Sequence, residues 1–105
     1  MILPQELRIG NYVFDIDGDV LQIGQILDIG VKFKNTSLSS RYEKIKPIPL
    51  TEEILLKFGF DIEWLLSDSK CYYVLINNKK IRIKFVHSLQ NIYLCIEQKE
   101  LNLCL

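Results

Sequence analysis

The chain has 105 residues and a net charge of zero, because its thirteen basic residues balance thirteen acidic ones. This length suits one domain with a single hydrophobic core, and 49% apolar with 25% charged residues excludes a disordered chain. The balanced charge gives no long-range positive field, which argues against a general nucleic-acid binder.

The N-terminus and the cysteines indicate a cytoplasmic setting. The sequence shows no basic leader before a long apolar run, and no segment reaches the roughly 20 apolar residues that cross a bilayer. Cys71, Cys95 and Cys104 follow no recognisable spacing, so we expect free thiols, without a disulfide framework or a zinc site. We therefore predict a cytoplasmic protein with no membrane contact and no cofactor.

Alternating apolar residues between Gly10 and Phe33 predict the first half of the fold. Glycines interrupt this alternation at positions 10, 18, 24 and 30, so it predicts three or four short antiparallel strands. Such strands form a curved sheet or a small SH3-like barrel. A polar loop is expected around residues 35–40, followed by a short strand through Tyr42 and Ile45.

The segment "DIDGDV" at residues 15–20 has two interpretations. Its three carboxylates are typical of a cation loop, but Gly18 and Ile26 do not fit the positions that an EF-hand requires. The pair Asp17-Gly18 lies between two apolar runs and predicts a two-residue hairpin turn. We favour the turn, with a weak surface cation site as the alternative.

Prolines at positions 47 and 49 mark a boundary between residues 1–47 and 48–105 of the one predicted domain. After them, "PLTEEILLKFGF" predicts a helix over residues 52–58. Thr51 is a suitable N-cap, acidic residues follow in the first turn, and Gly59 can end the helix in the left-handed conformation.

A β-meander is predicted after this helix. The sequences "SDSK" and "NNKK" are typical of turns, and they flank the β-prone run "CYYVLI". In the next segment, Ile81 and Ile83 alternate with Arg82 and Lys84, which predicts a strand with one core face and one basic face.

Apolar residues at helical spacing then predict an amphipathic helix over residues 87–97, with a β-strand as the alternative. His87 is the only histidine of the chain, and no second histidine or fixed ligand spacing accompanies it. A structural role is therefore the simpler interpretation of His87. The sequence also contains no nucleophile motif or phosphate loop, so we expect no enzymatic activity.

Three segments in this order carry a resemblance: "ELRIGNYV" at 6–13, "IKPIPLTEEILLKFGF" at 45–60, and "FVHSLQNIYL" at 85–94 followed by "KEL" at 99–101. The chain resembles a family of small uncharacterised proteins of bacteria, prophages and phages. It departs from the usual family pattern at Phe85, where Tyr is common, and in "CIEQKEL". The resemblance implies a phage or mobile-element context and no catalytic residue.

Together, these features predict a single α+β domain with a curved antiparallel sheet, a short helix, a meander and a C-terminal amphipathic helix. We expect a non-enzymatic binding or adaptor protein that binds a host protein or itself, or that traps a small ligand. The alternative is a nucleic-acid or nucleotide-binding module that uses the basic strand face. The candidate binding residues are His87, Gln90, Asn91 and Tyr93 on the last helix and Tyr73, Lys80, Arg82 and Lys84 on the strands.

Overall fold

A computed structural model describes residues 4–59, 62, 64–68 and 71–98 of the chain. The chain divides into two compact units, Met1–Ile48 and Pro49–Leu105. The division lies between the two prolines at positions 47 and 49, which restrict the backbone on both sides of Ile48.

The first unit is a curved antiparallel sheet, as the alternating apolar pattern predicts. Its strands are β1 (Tyr12–Phe14), β2 (Val20–Ile26), β3 (Gly30–Phe33) and β4 (Ser39–Arg41), and they lie in that order across the sheet. The register shifts between Ile23 and Gln25, where Gly24 permits a bulge that bends β2. The core of this unit consists of Leu7, Val13, Ile23, Val31, Phe33, Tyr42 and Ile45.

Two predictions for the first unit are wrong in detail. The turn between β1 and β2 has three residues instead of two, because Asp15 and Asp19 still form a backbone hydrogen bond and Gly18 takes a φ of 83°. The strand predicted through Tyr42 and Ile45 is a 3₁₀ helix at Tyr42–Lys44, and the strand precedes it. The Tyr42 hydroxyl donates a hydrogen bond of 2.5 Å to the carbonyl oxygen of Leu27, which holds this buried ring in place.

The second unit contains two helices and a three-stranded meander. Helix α1 (Glu52–Phe58) is followed by β5 (Leu66–Asp68), β6 (Cys71–Ile76), β7 (Lys79–Ile83) and helix α2 (Val86–Glu97). The strands are antiparallel in the order β5, β6, β7. The helical interpretation of the C-terminal segment is therefore confirmed, and the strand alternative is wrong.

Helix α1 has the predicted bounds and caps. The Thr51 hydroxyl accepts a hydrogen bond of 3.2 Å from the Ile54 amide, and Gly59 ends the helix in the left-handed conformation. The predicted turn "SDSK" begins too early, because Ser67 and Asp68 belong to β5, where they pair with Tyr72 and Cys71. Its last two residues, 69 and 70, lie outside the described part of the chain.

Candidate functional site

One face of the β6–β7 hairpin combines exposed cations with apolar groups. Arg82 lies opposite Tyr73, and Lys80 lies opposite Leu75, so these four side chains share a face. Lys84 follows β7 by one residue and is exposed. We call this surface, made by Tyr73, Leu75, Lys80, Arg82 and Lys84, the cationic sheet face.

The opposite face of the hairpin carries the core. Val74 and Ile83 are buried there, as the alternation of β7 predicts. Ile81 is on the same side but keeps 40% of its surface exposed, because it lies nearer the hairpin turn. The buried core therefore ends before the tip of the hairpin, and exposed apolar side chains are present on both faces of the hairpin.

Lys80 makes two side-chain contacts on the cationic sheet face. Its ammonium donates a hydrogen bond to the Asp68 carboxylate and lies 4.3 Å from the centroid of the Tyr73 ring. The hydrogen bond to Asp68 raises the pKa of Lys80 above its usual 10.5, and desolvation opposes this rise. Since both partners are about half exposed, the pair contributes little to stability, but it fixes the position of the lysine.

The hairpin turn sets the register of this face. Asn77 and Asn78 both have positive φ angles, 53° and 64°, which is the type I′ turn that fits the twist of a two-residue hairpin. Asparagine tolerates the left-handed conformation better than most residues. The turn pairs Ile76 with Lys79 and thereby places Arg82 opposite Tyr73.

The candidate residues of helix α2 are positioned differently from those of the strands. His87 and Gln90 each expose only 1% of their surface, so a partner at the protein surface does not reach them. The His87 ring stacks against Phe85, with ring centroids 5.6 Å apart and planes 8° from parallel. This packing supports a structural role for His87.

Asn91 and Tyr93, the other two candidates on helix α2, are half-buried. The Tyr93 ring lies 6.1 Å from that of Trp64, whose Nε1–H donates a hydrogen bond to Glu97. These contacts anchor Trp64 on the last turns of the helix. The residues of the helix motif therefore serve mostly in packing.

The carboxylates of Asp15, Asp17 and Asp19 lie within 4.8 Å of one another. An oxygen of Asp15 accepts hydrogen bonds of 2.9 Å from the amides of both Asp17 and Asp19. These bonds give the acidic cluster a role in forming the turn. Exposed carboxylates of this kind are common without an ion, and the turn interpretation accounts for their positions.

A surface cavity of about 430 Å³ opens between the start of helix α1 and the β5–β6 pair. Its lining mixes polar and apolar residues and includes Leu50, Thr51, Glu52, Ser67, Asp68 and Tyr72. Cys71 also lines it and is a free thiol, as is Cys95, whereas Cys104 lies outside the described residues. The volume is within the range of small-molecule sites.

Sequence reasoning found the cations of the sheet face but missed Leu75 and Asp68. The sequence "CYYVLI" is uniformly apolar and does not show that Leu75 remains 53% exposed. Asp68 is twelve residues from Lys80, so only the strand pairing brings them together. The two-residue spacing of Tyr73 and Leu75, which places both on one face of a strand, was the available signal for Leu75.

Within the residues that the structure describes, no helix has the length and apolar character needed to span a membrane. Comparison of the chain with protein-family models, with curated proteins and with solved structures finds no match. The resemblance of its sequence motifs to bacterial and phage proteins therefore stays a prediction.

Proposed function

We propose that this chain is a non-enzymatic binding protein and that its partner is another protein with an acidic and partly apolar surface. The observation that carries the proposal is the composition of the cationic sheet face, where the exposed Leu75 lies opposite Lys80 and two residues from Tyr73, which faces Arg82. Tyrosine and arginine beside an apolar group are typical of the centre of protein–protein interfaces.

The contacts of Lys80 favour a protein over a nucleic acid. A base would have to stack on Tyr73, but the Lys80 ammonium lies over that ring, and Asp68 offsets part of its charge. The exposed aliphatic side chain of Leu75, opposite Lys80, also gains little from a phosphate backbone. A protein surface can use both the aliphatic group and the cations.

A non-enzymatic role fits the position of the histidine. His87, the only histidine of the chain, is buried against Phe85, away from solvent-borne substrates. From the resemblance to phage and prophage proteins, we further propose that the partner is a factor of the bacterial host.

The test is affinity capture from bacterial lysate with a charge-reversed variant. Wild-type chain, a Lys80→Glu/Arg82→Glu variant and a Lys32→Glu/Lys46→Glu variant are immobilised, and retained proteins are quantified by mass spectrometry. The second variant changes the net charge equally, at two exposed residues outside the cationic sheet face. We expect wild type and the Lys32→Glu/Lys46→Glu variant to retain specific proteins that the Lys80→Glu/Arg82→Glu variant loses. Equal retention by all three chains would overturn the proposal.

Nucleic acid is tested with the same variants. A fluorescein-labelled single-stranded oligonucleotide is titrated at about 50 and 200 mM salt, because phosphate contacts weaken steeply over this range. We expect no saturable binding. Salt-sensitive binding that depends on Lys80 and Arg82 would favour the nucleic-acid alternative.

The cavity beside helix α1 supports a second candidate, the trapping of a small ligand. The Glu52 carboxylate and the Tyr72 ring in its lining suit a positively charged molecule. Native mass spectrometry of protein purified without denaturation would reveal such a ligand as extra mass. That mass should disappear on unfolding and be reduced in a Glu52→Gln variant.

A further inference from the structure

We infer that the open edge of β7 is a docking site for an extended acidic segment of a partner protein, which would add a fourth strand to the sheet. This inference rests on the proposed function and names the kind of partner segment that the site would accept. It depends on where the backbone groups of β7 point.

The turn geometry fixes those directions. In a two-residue hairpin the residues beside the turn exchange backbone hydrogen bonds, so Ile76 bonds with Lys79, and the bonded pairs recur at every second residue. The N–H and C=O groups of Lys79, Ile81 and Ile83 therefore point to β6. Those of Lys80 and Arg82 point away from it.

A contact within the second unit supports this alternation. The Leu50 amide donates a hydrogen bond of 2.8 Å to the carbonyl oxygen of Lys84, which follows Arg82 on the outward side. Pro49 and Phe85 form an isolated antiparallel bridge at the same place. The outer edge thus already accepts a strand-like partner at one end, and among the described residues β7 pairs with no strand except β6.

The side chains define the chemistry of an added strand. Residues opposite Lys80 and Arg82 would lie on the cationic sheet face, where acidic side chains complement them. The residue between them would lie on the other face beside the exposed Ile81, so an apolar side chain fits there. The segment should therefore read acidic, apolar, acidic over three residues.

Charge also argues against a second copy of this chain at the same edge. Two β7 edges in antiparallel register would place Lys80 of one copy beside Arg82 of the other, and directly opposed like charges are unfavourable. An acidic segment removes this repulsion. The geometry is that of strand addition, in which main-chain hydrogen bonds supply affinity and alternate side chains supply specificity.

The test uses peptides that differ only in backbone N-methylation. A fluorescein-labelled peptide with a central Glu-Val-Glu is titrated with the full chain and followed by fluorescence anisotropy, at low ionic strength. In one version both glutamate amides are N-methylated, and in the other only the valine amide is. In a strand added antiparallel to β7, as at the Pro49–Phe85 bridge, the glutamate amides would face β7, whereas the valine amide would point away from it.

We expect the glutamate-methylated peptide to bind at least about tenfold more weakly than the unmodified one, and the valine-methylated peptide to bind within about twofold of it. An Arg82→Glu variant, checked for folding by circular dichroism, should lose binding of all three peptides. Equal binding of the three peptides to wild type would overturn strand addition and leave the proposed function in place. Failure of every peptide to bind would overturn this inference, while the lysate experiment separately decides the proposed function.

Discussion

Replacing Gly30 with alanine should detach β4 from the sheet of the first unit. A Cβ at this position would lie 2.1 Å from the carbonyl oxygen of Ser40 and 2.8 Å from the Cα of Arg41. Ordinary carbon–oxygen contacts are about 3.3 Å or longer, so β4 would have to move by more than about 1 Å. The neighbours are backbone atoms, and no side-chain rotation can relieve the contact.

The cost in stability comes from the backbone hydrogen bonds between β3 and β4. Strands in a sheet are about 4.8 Å apart, and Gly30 directs its carbonyl to Leu27 on the β2 side, so the neighbouring pair Val31–Ser40 carries the hydrogen bonds between β3 and β4. An increase of about 1 Å in the spacing takes that pair beyond hydrogen-bonding distance. Two lost backbone hydrogen bonds, with partial exposure of the buried Val31, should cost about 2–4 kcal/mol. The loss should be local to β3 and β4.

Native-state amide exchange of the β3 residues measures this cost as a local free energy of opening. Gly18→Ala is the control, because a Cβ there has no neighbour within 4 Å but the φ of 83° is strained for alanine by about 1–2 kcal/mol. Its effect should be confined to the β1–β2 turn. A Gly30→Ala cost below about 1 kcal/mol in β3 would refute the argument from close approach.

Three further predictions concern the second unit. Thr51→Ala should reduce the free energy of unfolding in urea by about 1 kcal/mol, because it removes the N-cap of helix α1. Thr51→Asp should retain most of that stability, and equal losses in the two variants would argue against capping. Leu89→Ala should lower the free energy of unfolding by about 2–5 kcal/mol in the same assay, because Leu89 is fully buried. Leu56→Ala, at an exposed position, should change it by less than about 0.5 kcal/mol, and similar costs for the two variants would contradict the described core. Lys80 has a raised pKa in the folded protein, so its contribution to stability is fully present below the unfolded pKa of about 10.5 and is lost as the pH rises through the higher folded pKa. Asp68→Asn should lower the folded pKa of Lys80 in an NMR titration. An unchanged pKa would exclude Asp68 as the cause of the rise.

Local signals predicted the elements that depend on neighbouring residues. Helix α1 was correct to its bounds because its cap, its first turn and its terminal glycine all lie within nine residues of sequence. The β6–β7 hairpin was likewise predicted from the "NNKK" turn. The 3₁₀ helix at Tyr42–Lys44 was missed because its apolar spacing also suits a strand, and the bond from Tyr42 to Leu27 links residues far apart in the sequence.

The candidate site was only partly predictable, because some of its contacts join residues that are far apart in the sequence. Alternation along β7 identified the face that carries Lys80 and Arg82, but it gave no information on the contact of Lys80 with Asp68. On helix α2, His87 and Gln90 were among the candidate binding residues, whereas both are buried. A polar residue next to the apolar stripe of a helix can fall on either side of the boundary, and tertiary packing decides which.

The alternation of backbone groups along β7 gives the hairpin an unequal solvent exposure that isotope exchange can trace. Amide hydrogens of Lys79 and Ile81 point into the sheet and should exchange slowly, whereas those of Lys80 and Arg82 should exchange close to the rate of an open chain. Neighbouring residues would thus differ in protection although they belong to one strand. A bound segment that completes the sheet would slow exchange at Lys80 and Arg82, so loss of the alternation would itself be a label-free signal of occupancy.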